Sequence, residues 1–158
     1  MPLEIRTARA DEVSSVAKLY QAVWHATQAP LQDRAIAALR DDDWFERRIK
    51  LATALPLIAL LDGKLVGFAA WSGDLLGQLF IAPEEHGQGI GRGLLLGAEI
   101  RMREEGTKLA QLHCLVGNAR ARRFYERNGW TLKGLESATV ESMEGPKKVA
   151  HWVMTKPL

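Results

Sequence analysis

The sequence predicts one mixed α/β domain, residues 1–158, built on a mostly antiparallel sheet. Three observations predict it. Apolar residues at helical spacing fill the N-terminal third. Short apolar runs separated by glycine turns form a meander in the middle. A glycine-rich loop then joins the meander to another amphipathic helix.

Taken in order, Asp11 is a natural N-cap, and Val13, Val16, Ala17, Tyr20 and Trp24 recur at helical offsets, predicting a helix over about residues 12–27. Asp41, Asp42 and Asp43 precede Trp44, Phe45, Ile49 and Ala52. Acidic residues favour a helix N-terminus, so a second helix is expected near 42–53. The pattern then changes to strands at 57–61, 65–71 and 75–81. Asp62-Gly63 is a strong hairpin signal, and Ser72-Gly73-Asp74 makes the second turn. Beyond Pro83 a helix is expected over about 90–105, with Leu94, Leu95, Ala98 and Met102 on its apolar face and Gly106 as C-cap. A strand at 110–115 follows, then a helix capped by Asn118 and ended by Gly129. Strands near 130–135 and 148–154 complete the sheet, and Ser137 to Pro146 reads as a loop.

Composition narrows the function classes. Hydrophobic residues make up 47% and charged residues 25%, ordinary for a globular protein that needs no metal or disulfide staple. A net charge of +2 is too small to argue for nucleic acid or an anionic membrane as partner. The longest apolar run, Leu51 to Leu61, is interrupted by Thr53 and Pro56 and falls well short of the roughly 20 residues a span needs. Cys114 is the only cysteine, so no intrachain disulfide forms. With no signal-type stretch near Met1, the expectation is a cytoplasmic protein, with a homodimer compatible with the sequence. His25, His86, His113 and His151 show no ligand-pair spacing, so no metal is expected.

The most informative segment is His86-Gly87-Gln88-Gly89-Ile90-Gly91-Arg92-Gly93, between a strand and a helix. Glycines let the backbone turn sharply and bring N–H groups to a ligand, and the helix start adds unpaired donors and a positive dipole end. The combination suits a phosphate. It is neither a Walker loop, which needs Lys-Ser or Lys-Thr, nor a Gly-x-Gly-x-x-Gly fingerprint, because Arg92 and Leu94 stand where the last glycine would be. A plain glycine-rich surface loop is the structural alternative.

The segment from Leu79 through Pro83 to Gly91 resembles the core of the GNAT superfamily of acetyl-CoA-dependent N-acetyltransferases, a hydrophobic strand, a proline and a Gln/Arg-x-x-Gly-x-Gly/Ala loop. Asn118-x-x-Ala121-x-x-Phe124-Tyr125, followed by Asn128-Gly129-Trp130, resembles that family's Asn…Phe-Tyr…Gly-Phe segment. The order of elements is also similar. His86 departs from the usual Gln or Arg, which affects a side-chain contact but not the backbone donors.

The resemblance implies a mostly antiparallel sheet of six to seven strands, flanked by about four helices and splayed at a cofactor groove. It implies acetyl-CoA as cofactor, with its pyrophosphate on His86, Gly87, Gln88, Gly89, Ile90 and Gly91, reaching Arg92 and Gly93. The pantetheine arm would lie along Leu79, Phe80 and Ile81 as an added strand. Asn118 would hold that arm and Tyr125 would reach the sulfur. The activity implied is transfer of acetyl to a primary amine, on a small molecule or a peptide, by direct attack in a ternary complex. The alternative is a non-catalytic acyl-CoA-binding regulatory module on the same fold.

That chemistry needs an acid for the departing thiolate, a base for an ammonium whose pKa is about 10.4, and a donor for the developing oxyanion. Tyr125 is the candidate acid. It lies two helical turns after Asn118, so both can face one groove; the structural alternative is a core tyrosine beside Phe124. His113 is the candidate base, pointing opposite to Leu112 and Cys114; a packed strand histidine is the alternative reading. Glu84, Glu85 and Asp74 are weaker candidates. Trp24 and Trp44 fall on the first two helices, the acceptor side in this family, and at least one is expected to line the acceptor pocket. Arg120, Arg122, Arg123 and Arg127 form either a solvated face or a contact to the ribose phosphate.

Overall fold

Seven strands form one sheet: β1 (Leu3–Thr7), β2 (Leu57–Leu61), β3 (Lys64–Ser72), β4 (Leu75–Ile81), β5 (Leu109–Leu115), β6 (Thr131–Val140) and β7 (Lys147–Pro157), in the order β1-β2-β3-β4-β5-β7-β6. The structure, a computed structural model, describes residues 2–52 and 54–158. Every neighbouring pair is antiparallel except β4 and β5, which run parallel. Five α-helices cover the two faces: α1 (Val13–Thr27), α2 (Arg34–Leu39), α3 (Asp42–Lys50), α4 (Ile90–Glu104) and α5 (Ala119–Arg127).

The meander forms where its turn chemistry predicts. Asp62 and Gly63 both take left-handed φ, 50° and 80°, as a tight hairpin with the right twist requires. Alternation along β2 then sends Leu57 and Ala59 to one core and Ile58 and Leu60 to the other. The first core lies under α4 and α5, with Leu94, Leu95, Ala98 and Met102 completely buried as the helical spacing requires. The second lies under α1 and α3 and is strongly aromatic, gathering Tyr20, Trp24, Phe45, Phe68 and Phe80. Asp41 caps α3 by accepting from the Trp44 N–H at 3.0 Å.

Four features differ from the sequence reading. β1 is an additional edge strand, paired only with β2; it is too short for its periodicity to show. α2 is also additional, six residues long, started by Asp33 accepting from the Ala35 N–H at 2.8 Å. α3 ends at Lys50, short of the expected 53, and Thr53 lies outside the described residues. The expected loop from Ser137 is strand as far as Val140, because Ser137 to Val140 pair with Lys147 to Ala150 in a long hairpin.

One charge inside the first core is compensated. Glu99 on α4 is 3% exposed and accepts from Lys156 Nζ at 2.7 Å and from Trp130 Nε1 at 3.0 Å. This ties α4 to β7 and to the start of β6. Removing one member of such a pair leaves the other charge poorly solvated. Glu99→Ala is expected to cost about 3 kcal/mol, measured by urea denaturation; a loss below about 0.5 kcal/mol would mean the triad does not hold the sheet and helix together.

Candidate active site

Gly77 sets the site's geometry. Ala70 pairs with Gln78 and Trp71 with Leu76, leaving Gly77 as an unpaired extra residue in β4. Such a bulge bends its strand and resets side-chain alternation. Before it, Leu76 faces the α4 side; after it, Gln78 and Phe80 face the α1 side. β4 and β5 pair only at Leu75 with Gln111 and Leu76 with Leu112. Past the bulge they separate, and the outer edge of β4 through Leu79, Phe80 and Ile81 has no strand beside it.

At the end of this gap lies the glycine loop. Gly87 and Gly89 have φ of +83° and +79°, and a Cβ at either would meet nothing within 4 Å. Backbone conformation, not crowding, therefore demands glycine there. From Gly87 to Arg92 no backbone N–H donates to a protein acceptor among the described residues. These donors, at the start of the fifteen-residue α4, fit a diphosphate. The last glycines have other duties. Gly91 lies against the Phe124 ring, 3.4 Å from where a Cβ would be. The Gly93 N–H is taken by the Gly89 carbonyl at 3.0 Å, and a Cβ on Gly93 would lie 2.9 Å from Ile5 Cδ1. Of the glycines expected to reach the phosphate, Gly93 thus has its N–H already paired and packs against β1. His86 turns away too, donating from Nε2 to the Ile81 carbonyl at 3.0 Å and pinning the loop to the end of β4. The Gln88 amide donates to Glu85 at 2.7 Å. Arg92 is exposed at the helix start.

On the same face, α5 brings Tyr125 against the first core beside Phe124 and Trp130. Burial, and secondarily Cys114, push the Tyr125 phenol well above its usual range, so its proton stays on at neutral pH. Asn118 caps α5 by accepting from the Ala121 N–H at 3.3 Å, which leaves its amide N–H groups available. Cys114 is buried, and burial pushes its thiol up to about 11. Of the arginines on α5, Arg122 lies over the Trp152 ring at 4.7 Å and pairs with Glu126, while Arg120, Arg123 and Arg127 are exposed.

The opposite face carries a different set. His113 is exposed on β5, pointing away from the core that holds Leu112 and Cys114, with the Gln111 amide 3.0 Å from its Nε2. His151 on β7 faces Leu115 across the ladder, and its ring centroid is 6.2 Å from that of His113. Burial, and then nearby His113 and Arg40, lower its pKa. Gln78 and Tyr20 lie buried on this face. Arg40, between α2 and α3, stacks over Trp24 at 4.6 Å and Trp44 at 4.2 Å. Of the two tryptophans expected at the acceptor side, Trp44 is half-buried beneath Arg40, whereas Trp24 is 1% exposed and belongs to the aromatic core.

Sequence reasoning missed Arg40, Arg48, Tyr20, Gln78 and His151 as members of this cluster. Their meeting depends on the bulge and on the β5–β7 register. The only local sign was Gly77 within an apolar strand, a position that often marks a bulge.

Comparison with known proteins agrees with this architecture. Residues 16–130 match the acetyltransferase (GNAT) family. An uncharacterised N-acetyltransferase of Archaeoglobus fulgidus is 30% identical over 135 residues, covering 78% of this chain and 89% of that protein. The crystal structure of a GCN5-related N-acetyltransferase from Rhodopseudomonas palustris superposes with a TM-score of 0.79 at 25% identity, covering 100% of this chain and 97% of that one. PaiA N-acetyltransferase from Thermoplasma acidophilum, solved with coenzyme A, gives a TM-score of 0.76 at 21% identity, with both chains fully covered. The bulged and splayed sheet, the glycine cradle at the start of α4 and the sequence match together make this chain a member of the GNAT family of acetyltransferases, enzymes that draw their acetyl group from acetyl-CoA.

Proposed function

We propose that the chain acetylates a primary amine, on a small molecule or a peptide, by direct attack in a ternary complex. The observation that carries this reading is the two-sided gap between β4 and β5. The anion cradle and Tyr125 open on one face, and the imidazoles of His113 and His151 on the other.

When bound, acetyl-CoA supplies the acetyl group as an activated thioester. The N–H groups from Gly87 to Arg92 hold the diphosphate, aided by the positive end of α4. The free edge of β4 at Leu79, Phe80 and Ile81 pairs with the amide-bearing arm, and Asn118 offers its amide N–H groups to the same arm. An N–H on that edge donates to the oxygen that gains charge. Tyr125 keeps its proton on Oη until the leaving sulfur takes it. His113 accepts the proton from the attacking ammonium, directly or through water, from a position that solvent reaches. His151, its pKa lowered by burial, stands beside it as a neutral imidazole. A relay through Cys114 is disfavoured, because a thiol pushed up to about 11 is almost entirely protonated at neutral pH.

The rival reading, a non-catalytic module that only binds acyl-CoA, has the same cradle and differs in turnover. Thiol release from acetyl-CoA across a panel of amines separates the two, and the enzyme reading predicts release that depends on amine. Tyr125→Phe is expected to lower kcat about 100-fold while leaving acetyl-CoA affinity near the wild-type value by calorimetry. Full turnover in that variant would remove Tyr125 as the acid. Gly89→Ala forces a methyl-bearing residue into left-handed φ, at roughly 1–2 kcal/mol, and is expected to raise the acetyl-CoA Kd about tenfold; an unchanged Kd would place the diphosphate elsewhere. Iodoacetamide at pH 7.5 should label native Cys114 about 300-fold more slowly than an unperturbed thiol of pKa about 8.5. Rapid labelling would reopen the relay.

A further inference from the structure

We propose that the acceptor is a small amine that also carries an acidic group, carboxylate or phosphonate, held by Arg40 with help from Arg48. This rests on the acetyltransfer reading and names the substrate class for the same site.

The argument starts from an unbalanced charge. Arg40 is half-buried between α2 and α3, with its guanidinium over two indoles, Trp24 and Trp44, at 4.6 and 4.2 Å. Arg48 lies over the same Trp44 ring at 5.5 Å. Among the described residues, neither arginine forms an ion pair with a carboxylate, although six other cationic side chains do. Burial lowers the Arg40 pKa, with Tyr20 opposing and Arg48 adding to that shift. The half-buried Arg40 guanidinium and the exposed Arg48 guanidinium beside the same ring repel each other. The indole faces offset part of that cost by cation–π attraction, and among the described residues no carboxylate pairs with either guanidinium.

Position supplies the second half. α2, which leads into Arg40, lies against the ends of β5 and β7: Asp33 accepts from Lys147 at 2.7 Å, Ile36 shares a cleft with Leu115 and Ala150, and the next residue of β7, His151, is 6.2 Å from His113 and feels Arg40. Tyr20, on the same face, lies 6.3 Å from the Trp44 ring that both arginines cover and neighbours Gln78 of β4 past the bulge. An amine at His113 therefore has a cationic clamp within the reach of a small molecule. Sandwiched on indoles, the Arg40 fork has a fixed plane, suited to two parallel hydrogen bonds to a carboxylate or phosphonate.

The test measures kcat/KM for three amines of equal chain length: an ω-amino carboxylate, an aminoalkylphosphonate and a neutral alkylamine. At least one acidic amine should exceed the neutral one by tenfold or more, and the better of the two identifies the acid. In Arg40→Gln that ratio should fall toward one, mainly through KM, and Arg48→Gln should reduce it in part even if the first variant folds poorly. Arg101→Gln, on the far face of α4, should keep the ratio. Equal use of the neutral amine by the wild-type protein, or a preference that survives both arginine changes, would overturn this inference and leave acetyl transfer standing. Absence of thiol release with every amine would overturn acetyl transfer, and this inference with it.

Discussion

The site depends on one unpaired residue. An antiparallel meander that continued into β5 with full pairing would close the sheet and leave no backbone edge for a ligand. Gly77 prevents this. The extra residue in β4 shifts the register with β3 by one and lets the strand stay paired with β3 while bending away from β5, whose pairing ends after Leu76 and Leu112. The cost is a set of main-chain groups on β4 without strand partners. Main-chain polar groups shielded from water are seldom left unsatisfied, and an added strand or an extended amide-bearing molecule is the kind of partner such an edge accepts.

The same bulge separates the chemistry of the two faces. Because it resets alternation, Leu76 packs under α4 whereas Gln78 and Phe80 face α1. The α4 side is therefore apolar up to the loop, where a run of free N–H groups awaits an anion. The α1 side gathers imidazoles, a phenol, an amide and two guanidinium groups over an aromatic floor. A donor and an acceptor approaching from opposite faces can meet only in the gap. The titratable groups are likewise segregated: Tyr125, whose phenol burial pushes up from its usual range, is on one side, and His113, exposed, on the other.

The sequence made half of this legible. Turn chemistry at Asp62-Gly63, the helical spacing of Leu94, Leu95, Ala98 and Met102, and the glycine loop are local signals. Each located its element because the physics behind it acts within a few residues. β1 and α2 were hidden because five or six residues give too few repeats for a period to show. The strand from Ser137 to Val140 was hidden because its polar, exposed residues are held by pairing with β7 and not by burial. The acceptor-side cluster was hidden for a stronger reason. Arg40, His113 and His151 lie more than a hundred residues apart along the chain at the extremes, and their proximity is fixed by strand register and a bulge.

The glycines show how a motif can be located correctly while its members serve different ends. Gly87 and Gly89 have open space at the Cβ position and left-handed φ, so their requirement is conformational. Gly93 and Gly97 lie in the helix, with Ile5 and Leu57 respectively at the Cβ position; Leu57 Cδ2 would be 2.7 Å from a Cβ on Gly97. Their requirement is close approach. By seating α4 tightly on β1 and β2 they fix where its N-terminus points. A cradle of backbone donors has no side-chain reach to correct a misplaced helix. The packing glycines Gly93 and Gly97 therefore set the aim of the N–H groups at the start of α4.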